Sequence, residues 1–409
     1  MLRKTAVVIG DALIDEIESP DRSTDYVGGA GLNVAVGLAR LGVRATLIAA
    51  IGDDQDGQSI RAFLEAHNVQ LLATISDLGT SRAVSQRLNG EPRYSFNAAA
   101  VRREIHLGEA ERQALDSAAM VVISSFPFDN PGQVAQLEDA ITDPGKRLVV
   151  DPNPRPGLLR DAEAFDANFK RVAAHSLLAK ISDEDAALLG AGDLPSMADA
   201  LILAGTGHVL ATAGPRGASI STADGVRLSQ PVAILPGPVV DTMGAGDATL
   251  ASTVKALMEE DIPDTSLFWA DLLSAAMAVA AATCRSQGAL LQLPTTAVAE
   301  HHSSRPLGKD KPMTKTLYAE FTVKPGGEER VAQMMRELTL HVRQEPGNVL
   351  FNPYVRETNP REYFVFEIYR DEDAFQSHIS ADYGARFNAE LGDLIEGDGS
   401  ALTWLTPLV

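Results

Sequence analysis

The segment from Asp241 to Thr249, with the sequence DTMGAGDAT, constrains this chain more than any other part of its sequence. A Pro-Gly-Pro sequence breaks the chain before it, and apolar residues recur at helical spacing after it, from Leu250 to Met258. The segment is therefore predicted to be a loop that runs into the N-terminus of a helix. The small residues Gly244, Ala245 and Gly246 leave backbone N–H groups uncovered, and such donors, together with the helix dipole, bind anions.

Asp247 follows this predicted anion-binding loop directly. A carboxylate repels a phosphate group, so it is poorly suited to holding one. It is well suited to deprotonating a hydroxyl group that is aimed at a phosphoryl group. Because the motif is short, an alternative is that Asp247 only stabilises a helix N-terminus and the glycines only form a turn. The segment alone leaves both interpretations open.

Length and composition limit the classes of protein to which this chain can belong. A chain of 409 residues, 45% hydrophobic and 22% charged, suits two globular domains. The formal net charge of −20 argues against nucleic acid or an anionic membrane as the main partner. The single cysteine, Cys284, excludes an internal disulfide framework and fits a reducing cytoplasm. No window reaches the ~18 uninterrupted apolar residues of a membrane span, so a cytoplasmic protein without a membrane partner is predicted.

Short apolar runs alternate with helical patterns through residues 1–295, from Ala6–Ile9 to Trp269–Thr283. This alternation predicts an α/β fold with a doubly wound, mostly parallel sheet and polar residues gathered at the strand ends. Asp11 and Asp15 follow the first apolar run, at the edge where such sheets bind ligands. The Asn89-Gly90 sequence between two strand-like segments predicts a hairpin that projects from the sheet as a flap.

Four motifs occur in order along this part of the chain. They are GGxxxN with Gly28, Gly29 and Asn33, DxNxR from Asp151 to Arg155, TxGxxG with Thr212, Gly214 and Gly217, and the segment that ends at Asp247. The phosphate-binding motif GxxxxGK[ST] does not occur, so a P-loop is excluded at the level of motifs. In order and spacing the four motifs resemble those of the ribokinase/PfkB family of carbohydrate kinases, over roughly residues 5–295.

This resemblance implies a ribokinase-like fold with a small β-lid at about residues 12–30 and 82–100, and ATP-dependent phosphorylation of a small carbohydrate. It implies that Asp247 is the base and that the N–H groups of Gly244, Ala245 and Gly246 hold the transferred phosphoryl group. The residues that it implies for sugar binding are Asp15, Asp11, Gly28, Gly29 and Asn33. The residues that it implies around ATP are Thr212, Gly214, Gly217, Asp241 and Thr242.

The family's Asn-x-x-Glu motif, which helps to organise magnesium and phosphates, corresponds here to Ser182-Asp183-Glu184-Asp185. Serine at the first position is similar to fructokinase-type members, and Asp185 is one carbon shorter than glutamate. Mg²⁺ is still expected because the ATP phosphates supply ligands, and Asp185 is the candidate metal residue. The resemblance also implies a monovalent cation such as K⁺ near Asp241 and Met243.

The segments GDALID, which ends at Asp15, and DPNPR, which ends at Arg155, look most like those of fructokinases and 2-keto-3-deoxygluconate kinases. The expected reaction is therefore phosphorylation of a primary hydroxyl on a sugar or sugar acid. Ribose or a nucleoside is the alternative substrate.

Residues 296–314, with two histidines and almost no large apolar side chains, are predicted to be a linker. Residues 315–409 follow as a second module with strand and helix patterns in the order βαββααβ, which indicates a ferredoxin-like α+β fold. One strand is predicted to carry Tyr363, Val365, Glu367 and Tyr369 on a single face. Phe364, Phe366 and Ile368 fall on the other face, and one of these two aromatic faces is expected to line a cavity or a subunit interface.

The second module resembles the antibiotic-biosynthesis-monooxygenase-like domains through Arg343–Gly347, Asn359–Phe364, Glu367 and His378. This family is functionally broad, and its dimeric members include cofactor-free oxygenases and an isomerase-like enzyme. The resemblance implies a homodimer, and His378 is the candidate acid or base for isomerising or oxidising the phosphorylated product. The alternatives are a histidine that is only hydrogen-bonded at a helix end and a module for dimerisation or ligand sensing.

Overall fold

The computed structural model describes residues 4–19, 22–88, 91–141, 147–259, 266–294, 315–343, 345, 347–356, 358–397 and 399–405. The chain divides into two compact units, Met1–Val298 and Ala299–Val409. The predicted linker at 296–314 and the Asn89-Gly90 turn lie outside the described residues. In the described part of the chain, none of the helices is long and apolar enough to cross a membrane.

The first unit alternates strands and helices along the chain. Its strands are β1 (Thr5–Gly10), β2 (Leu13–Ser19), β3 (Arg22–Gly28), β4 (Arg44–Ile51), β5 (Val69–Ile75), β6 (Arg82–Leu88), β7 (Glu91–Phe96), β8 (Met120–Ser124), β9 (Leu148–Asp151), β10 (Leu178–Ser182), β11 (His208–Thr212), β12 (Ala218–Thr222) and β13 (Arg227–Gln230). Its helices are α1 (Ala30–Arg40), α2 (Gln55–Ala66), α3 (Ala98–Val101), α4 (Glu109–Ser117), α5 (Pro131–Ala140), α6 (Ala162–Ala173), α7 (Asp183–Leu188), α8 (Leu194–Ala204), α9 (Ala245–Glu259) and α10 (Ser266–Thr283).

A nine-stranded sheet, in the order β13-β12-β11-β10-β9-β8-β1-β4-β5, forms the centre of this unit. Its strands pair in parallel from β11 to β5, and only β12 and β13 add antiparallel pairs at one edge. The predicted doubly wound, mostly parallel sheet is therefore confirmed. Its central strands are mostly apolar because helices cover both faces.

Each face of the sheet has its own hydrophobic core. One core contains Leu32 of α1, Leu250 of α9 and Trp269 of α10. The other is formed under α5, α6 and α8. Because side chains alternate along a strand, neighbouring residues enter different cores. Val149 and Leu178 belong to the first core, whereas the residues that directly follow them belong to the second.

A separate four-stranded sheet, in the order β3-β2-β6-β7, lies in the region predicted as the lid. Arg82, the first residue of β6, forms ion pairs with three other elements at the base of this small sheet. Its guanidinium pairs with Glu16 of β2 at 2.8 Å, with Asp25 of β3 at 2.6 Å and with Asp56 of α2 at 2.6 Å. Because α2 packs on the central sheet, this arginine links the small sheet to the body of the unit.

The second unit has the order βαββααβ, as the sequence predicts. Its elements are β14 (Lys315–Thr322), α11 (Glu328–Val342), β15 (Asn348–Arg356), β16 (Asn359–Tyr369), α12 (Glu372–Ile379), α13 (Asp382–Leu394) and β17 (Ala401–Leu405). The strands form an antiparallel sheet in the order β15-β16-β14-β17. Tyr363, Val365, Glu367 and Tyr369 of β16 are buried, which agrees with their predicted common face and completes a ferredoxin-like fold.

Candidate active site

Asp247 lies in the first turn of α9, because the helix begins at Ala245. Its Oδ2 atom accepts a hydrogen bond of 2.9 Å from Nδ2 of Asn33 on α1. Burial raises the pKa of Asp247, against the opposing effects of the Asn33 hydrogen bond and of the charges on Lys180 and Arg155. A carboxyl group whose pKa moves up towards neutral pH is better matched to accepting a proton from a hydroxyl group.

The loop before α9 depends on glycine. Gly244 has a φ of 76°, in the left-handed region, and a Cβ atom at this position would lie 2.0 Å from the carbonyl oxygen of Ala289. A larger residue therefore cannot replace it without moving the backbone. Of the three N–H groups predicted to bind the phosphoryl group, that of Ala245 donates a hydrogen bond of 3.3 Å to the carbonyl oxygen of Thr242.

Asp11 and Ser125 organise the neighbouring strand ends. Asp11 follows β1, and its Oδ1 accepts a hydrogen bond of 3.0 Å from the N–H of Gly31 in α1. Its Oδ2 accepts a second bond of 3.1 Å from the hydroxyl of Ser125, which follows β8 with a φ of 56°. Asp11 therefore joins two strand ends to the start of α1.

Asp15 lies within β2 of the small sheet rather than in the loop after β1, as the strand bounds show. Burial raises its pKa to about 7, with a further contribution from the negative charges of Asp11 and Asp247 and an opposing one from Arg155. A Cβ atom on Gly28 would lie 2.2 Å from Oδ2 of Asp15, so glycine lets this carboxyl pack against the backbone. The predicted sugar-site residues therefore lie together near Asp247, with Gly29 as the N-cap of α1.

The residues predicted around ATP form two loops. Thr212 ends β11 and donates its hydroxyl to the carbonyl oxygen of Ile181 at 3.2 Å, and Gly214 and Gly217 follow it with positive φ. Asp241 accepts N–H bonds from Met243 at 3.0 Å and from Gly288 at 3.2 Å, so its carboxylate fixes the loop. Thr242 is exposed.

Asp185, the candidate metal residue, has a local structural role. Its Oδ2 accepts a 2.7 Å bond from the N–H of Ser182, and its own N–H donates to the Ser182 hydroxyl at 3.2 Å. Together they form a capping box at the start of α7. The side chain is buried, and burial raises its pKa to about 6. In the part of the chain that the structure describes, no group of three or more His, Cys, Asp or Glu side chains could hold a metal ion.

A buried ion pair beside these residues was not predicted from the sequence. Nζ of Lys180 on β10 lies 3.2 and 3.3 Å from the two carboxylate oxygens of Asp151, at the end of β9. The two side chains are 6% and 0% exposed. One signal could have revealed it: a lysine interrupts the otherwise apolar strand Leu178–Ile181, and a buried lysine requires a partner.

In the second unit, His378 lies between two carboxylates. Its Nδ1 is 2.9 Å from Oε1 of Glu345, and its Nε2 is 4.0 Å from Oε2 of Glu367. Tyr383 donates a hydrogen bond to Glu345, and Tyr369 donates one of 2.9 Å to Glu367. Apart from the 4.0 Å separation between His378 and Glu367, these five side chains are joined by hydrogen bonds, and we call them the His378 relay.

One end of the His378 relay reaches a cleft of about 320 Å³. Glu345 and Tyr383 line this cleft, together with Arg370, Asp373 and Ser377. Glu367 and Tyr369 lie at the other, buried end. Burial raises the pKa of Glu367, although Tyr369 and His378 oppose the shift. The sequence identified the histidine but not its partners, which come from other elements of the fold.

A parallel sheet with a glycine loop and a base-like carboxylate at a helix N-terminus defines an α/β enzyme of the phosphotransferase type. Residues 3–296 match the pfkB family of carbohydrate kinases, and residues 316–390 match the antibiotic biosynthesis monooxygenase family. The first match covers more than half of the chain. The chain therefore belongs to the pfkB family of carbohydrate kinases, with a domain of the second family fused to it.

Individual relatives agree with this assignment. A fructokinase of Rhizobium leguminosarum bv. trifolii is 30% identical over 270 residues, which is 62% of this chain and 79% of that protein. An aminoimidazole riboside kinase of Salmonella typhimurium is 29% identical over 300 residues, covering 70% and 91%. The solved structure of a Xylella fastidiosa fructokinase with bound ATP shares the fold, with a TM-score of 0.61 at 23% identity, covering 70% and 94%.

The raised pKa of Asp15 predicts a pH-dependent effect on stability. The folded state holds this proton more tightly than the unfolded chain, in which the pKa is near 3.8, so the group's contribution to stability is lost as pH rises through about 7. Asp15→Asn does not titrate. It should therefore raise the melting temperature of the first unit more at pH 8 than at pH 5, measured by calorimetry.

The control is Asp53→Asn, which removes an exposed acid before α2 and should shift the melting temperature equally at both pH values. An equal shift for Asp15→Asn as well would show that this carboxyl titrates in the ordinary acidic range.

Proposed function

We propose that the first unit transfers the γ-phosphoryl group of ATP to a primary hydroxyl of a sugar or sugar acid, with Asp247 as the general base. The observation that carries this proposal is the position of Asp247, at a helix N-terminus behind a glycine loop and oriented by Asn33. Asp247 takes the hydroxyl proton, the resulting oxygen attacks phosphorus, and ADP leaves. The N–H groups of Gly244, Ala245 and Gly246 hold the phosphoryl group during transfer.

The sugar is proposed to bind between Asp11, Asp15 and Asn33. Carboxylates accept hydrogen bonds from sugar hydroxyls, and Oδ1 of Asn33 is buried without a partner among the described residues. That oxygen is suited to accept a bond from a substrate hydroxyl close to Asp247. Gly28 and Gly29 contribute indirectly, because they leave room for the Asp15 carboxyl and for the carbonyl oxygen of Asp11.

ATP is proposed to lie along Thr212, Gly214 and Gly217, with Mg²⁺ held mainly by its phosphates. Bound Mg²⁺ would neutralise charge on the phosphates during transfer. This arrangement agrees with the capping role of Asp185, whose carboxylate is already hydrogen-bonded. A monovalent cation such as K⁺ is proposed near the loop that contains Asp241.

The substrate class rests on similarity to relatives. The fructokinase relative favours a ketose, and the riboside kinase relative keeps ribose or a nucleoside as the second candidate. A coupled assay of ADP release by the intact chain, over ketohexoses, sugar acids, pentoses and nucleosides, should show turnover highest with a ketose or sugar acid. Highest turnover with a riboside would select the second candidate, and no turnover with any of these compounds would contradict both.

Asp247→Asn should reduce kcat by roughly 10²–10⁴-fold, the range typical of a lost general base. The affinity for a non-hydrolysable ATP analogue, measured by calorimetry, should stay close to that of the wild-type protein. The control is Glu163→Gln, which removes an exposed acid from the first turn of α6 and should leave kcat unchanged. If Asp247→Asn keeps the wild-type kcat, this carboxylate is not the base.

For the second unit we propose acid–base isomerisation of the phosphorylated product. The His378 relay supports this because Glu345 and Tyr383 line the cleft, whereas His378 and Glu367 can take up and return a proton behind them. Glu345 removes a proton from a hydroxyl-bearing carbon next to a carbonyl group while the carbonyl oxygen gains a proton, which gives an enediol. The hydroxyl on the first carbon then loses its proton and becomes the new carbonyl group, and the former carbonyl carbon takes up a proton from Glu345. While it is held by Glu345, this proton can exchange with solvent. The reaction is balanced without an oxidant, whereas oxidation of the product would require O₂.

The alternative role is dimerisation or ligand sensing. It is supported by exposed apolar side chains on the edge strands, such as Tyr354, Leu402 and Trp404. A homodimer is compatible with both roles.

The two roles differ in their response to Glu345→Gln and His378→Asn. The intact protein is incubated in D₂O with the phosphorylated product of its preferred sugar, and loss of C–H signals is followed by NMR. Isomerisation predicts exchange that falls at least about 10-fold in both variants. The control is Glu329→Gln, which changes an exposed residue of α11. No exchange, or equal exchange in all four proteins, would favour the non-catalytic role.

A further inference from the structure

The pair formed by Lys180 and Asp151 lies on the α9 side of the central sheet. Leu178 and Val149 point into the core beneath α1, α9 and α10. Residues two positions further along a strand share the same face, so Lys180 and Asp151 point to that side at the carboxyl ends of β10 and β9. Their contacts of 3.2 and 3.3 Å are almost completely closed to solvent.

The ammonium group of Lys180 lies next to the glycine loop. A Cβ atom built on Gly246 would be 3.3 Å from Nζ and 3.8 Å from Cε of this lysine. Gly246 is in the first turn of α9, where the helix dipole already concentrates partial positive charge. The ammonium group and the partial positive charge of the helix N-terminus therefore lie side by side.

A purely structural role explains this arrangement poorly. A buried ion pair contributes little net stability, and a well-packed apolar pair of similar volume often stabilises a fold as much or more. The lysine is also surrounded by more negative charge than one partner supplies. Burial lowers the pKa of Lys180, but the carboxylates of Asp151, Asp185 and Asp247 outweigh burial and raise it above its ordinary value. The ammonium group is therefore charged.

We propose that Lys180 is an electrostatic positioning residue for phosphoryl transfer, held by Asp151 beneath the glycine loop so that its charge adds to the N–H groups that bind the transferred phosphoryl group. This goes beyond the proposed anion hole, which uses backbone donors alone. It rests on the kinase reaction at Asp247 but not on the identity of the sugar. The transferred group gains negative charge on its equatorial oxygens, and a fixed buried cation stabilises that charge without reorganisation.

Lys180→Met alone would leave Asp151 as an unpaired buried charge, which is strongly destabilising. The informative comparison is therefore between Asp151→Asn, which retains the Lys180 cation near the charges of Asp185 and Asp247, and the double variant Lys180→Met/Asp151→Asn, which removes it. Because Asp151→Asn also takes away the ion-pair partner of Lys180, each kcat is measured well below the melting temperature of that variant. With the best substrate of the screen, the double variant should have a kcat about 10²-fold below that of Asp151→Asn, the size of effect expected for one lost oxyanion donor. The KM for the sugar should change less than about 3-fold, because the lost interaction acts on the transferred group.

The single variant Lys180→Arg keeps a cation at this position and leaves Asp151 in place. Its kcat should therefore lie between that of the wild-type protein and that of the double variant. A structural role of the pair predicts a different pattern: the double variant melts at an altered temperature but has the same kcat as Asp151→Asn. That result would overturn the proposal.

The matched control is Lys170→Met/Asp166→Asn. It neutralises a partly exposed Lys–Asp pair on α6 with a contact of 2.6 Å and should leave kcat and KM unchanged. Asp247→Asn is assayed in parallel. Full activity of Asp247→Asn would show that the reaction is wrongly assigned to this site. Loss of activity in Asp247→Asn, without loss on removing Lys180, would reject only the role of the lysine.

Discussion

The first unit depends on how it compensates several carboxylates at one edge of its central sheet. Asp11, Asp15, Asp151, Asp185 and Asp247 converge there, and charges of the same sign oppose one another in a partly dehydrated site. Three of them have different hydrogen-bonding or ionic partners. Asp247 has the amide of Asn33, Asp151 has the ammonium of Lys180, and Asp11 has a backbone N–H and a hydroxyl. Asp15 has no such partner among the described residues, and its pKa is raised to about 7 as a result of burial and its acidic neighbours.

This difference in compensation separates the chemical roles. A carboxylate whose two oxygens both have partners, as in Asp11 and Asp151, is held in position, which suits an element that holds other groups in place. A carboxylate with one amide donor, such as Asp247, keeps an oxygen available for a proton. The uncompensated Asp15 gains most from a ligand that brings hydroxyl donors, because these hydrogen bonds stabilise its ionised form. A polyhydroxylated substrate therefore supplies what this edge of the sheet lacks.

The sequence was sufficient to predict most of the architecture because the relevant signals are local. Apolar strand runs, turn residues and helical spacing identified the parallel sheet and the βαββααβ order of the second unit, and both are confirmed. The antiparallel β12 and β13 and the exact start of α9 were not predicted. Ala245 and Gly246 are compatible with helix as well as loop, so only the surrounding contacts place them in the first turn.

The features of the site that the sequence did not predict depend on contacts between residues that are distant in the chain. Lys180 is an isolated charge in an apolar run, and its meaning emerges only when β9 is placed beside β10. Asp185 illustrates the opposite case, because Ser182-x-x-Asp185 is itself a capping-box pattern and a local interpretation was available. Resemblance to the family favoured a metal role instead. The position of its carboxylate favours the local one, since both of its strongest contacts are within its own helix turn.

The two units compensate buried carboxylates in physically different ways, and this difference bears on the reaction that we propose for each. Around Asp247 the compensating groups are an amide, an ammonium and a helix N-terminus, none of which releases a proton near neutral pH. Such a site provides fixed charge, which phosphoryl transfer requires. Around His378 the partners are two carboxylates, each of which accepts a hydrogen bond from a tyrosine. Glu345 lies within hydrogen-bonding distance of the imidazole and can exchange a proton with it, whereas the tyrosine hydroxyls, whose pKa values burial raises, hold the carboxylates in place. A fixed-charge site is poor at moving protons between carbon atoms, and a proton-exchanging site is poor at holding a phosphoryl group. The two reactions that we propose therefore require different electrostatic environments, and the chain contains one of each kind.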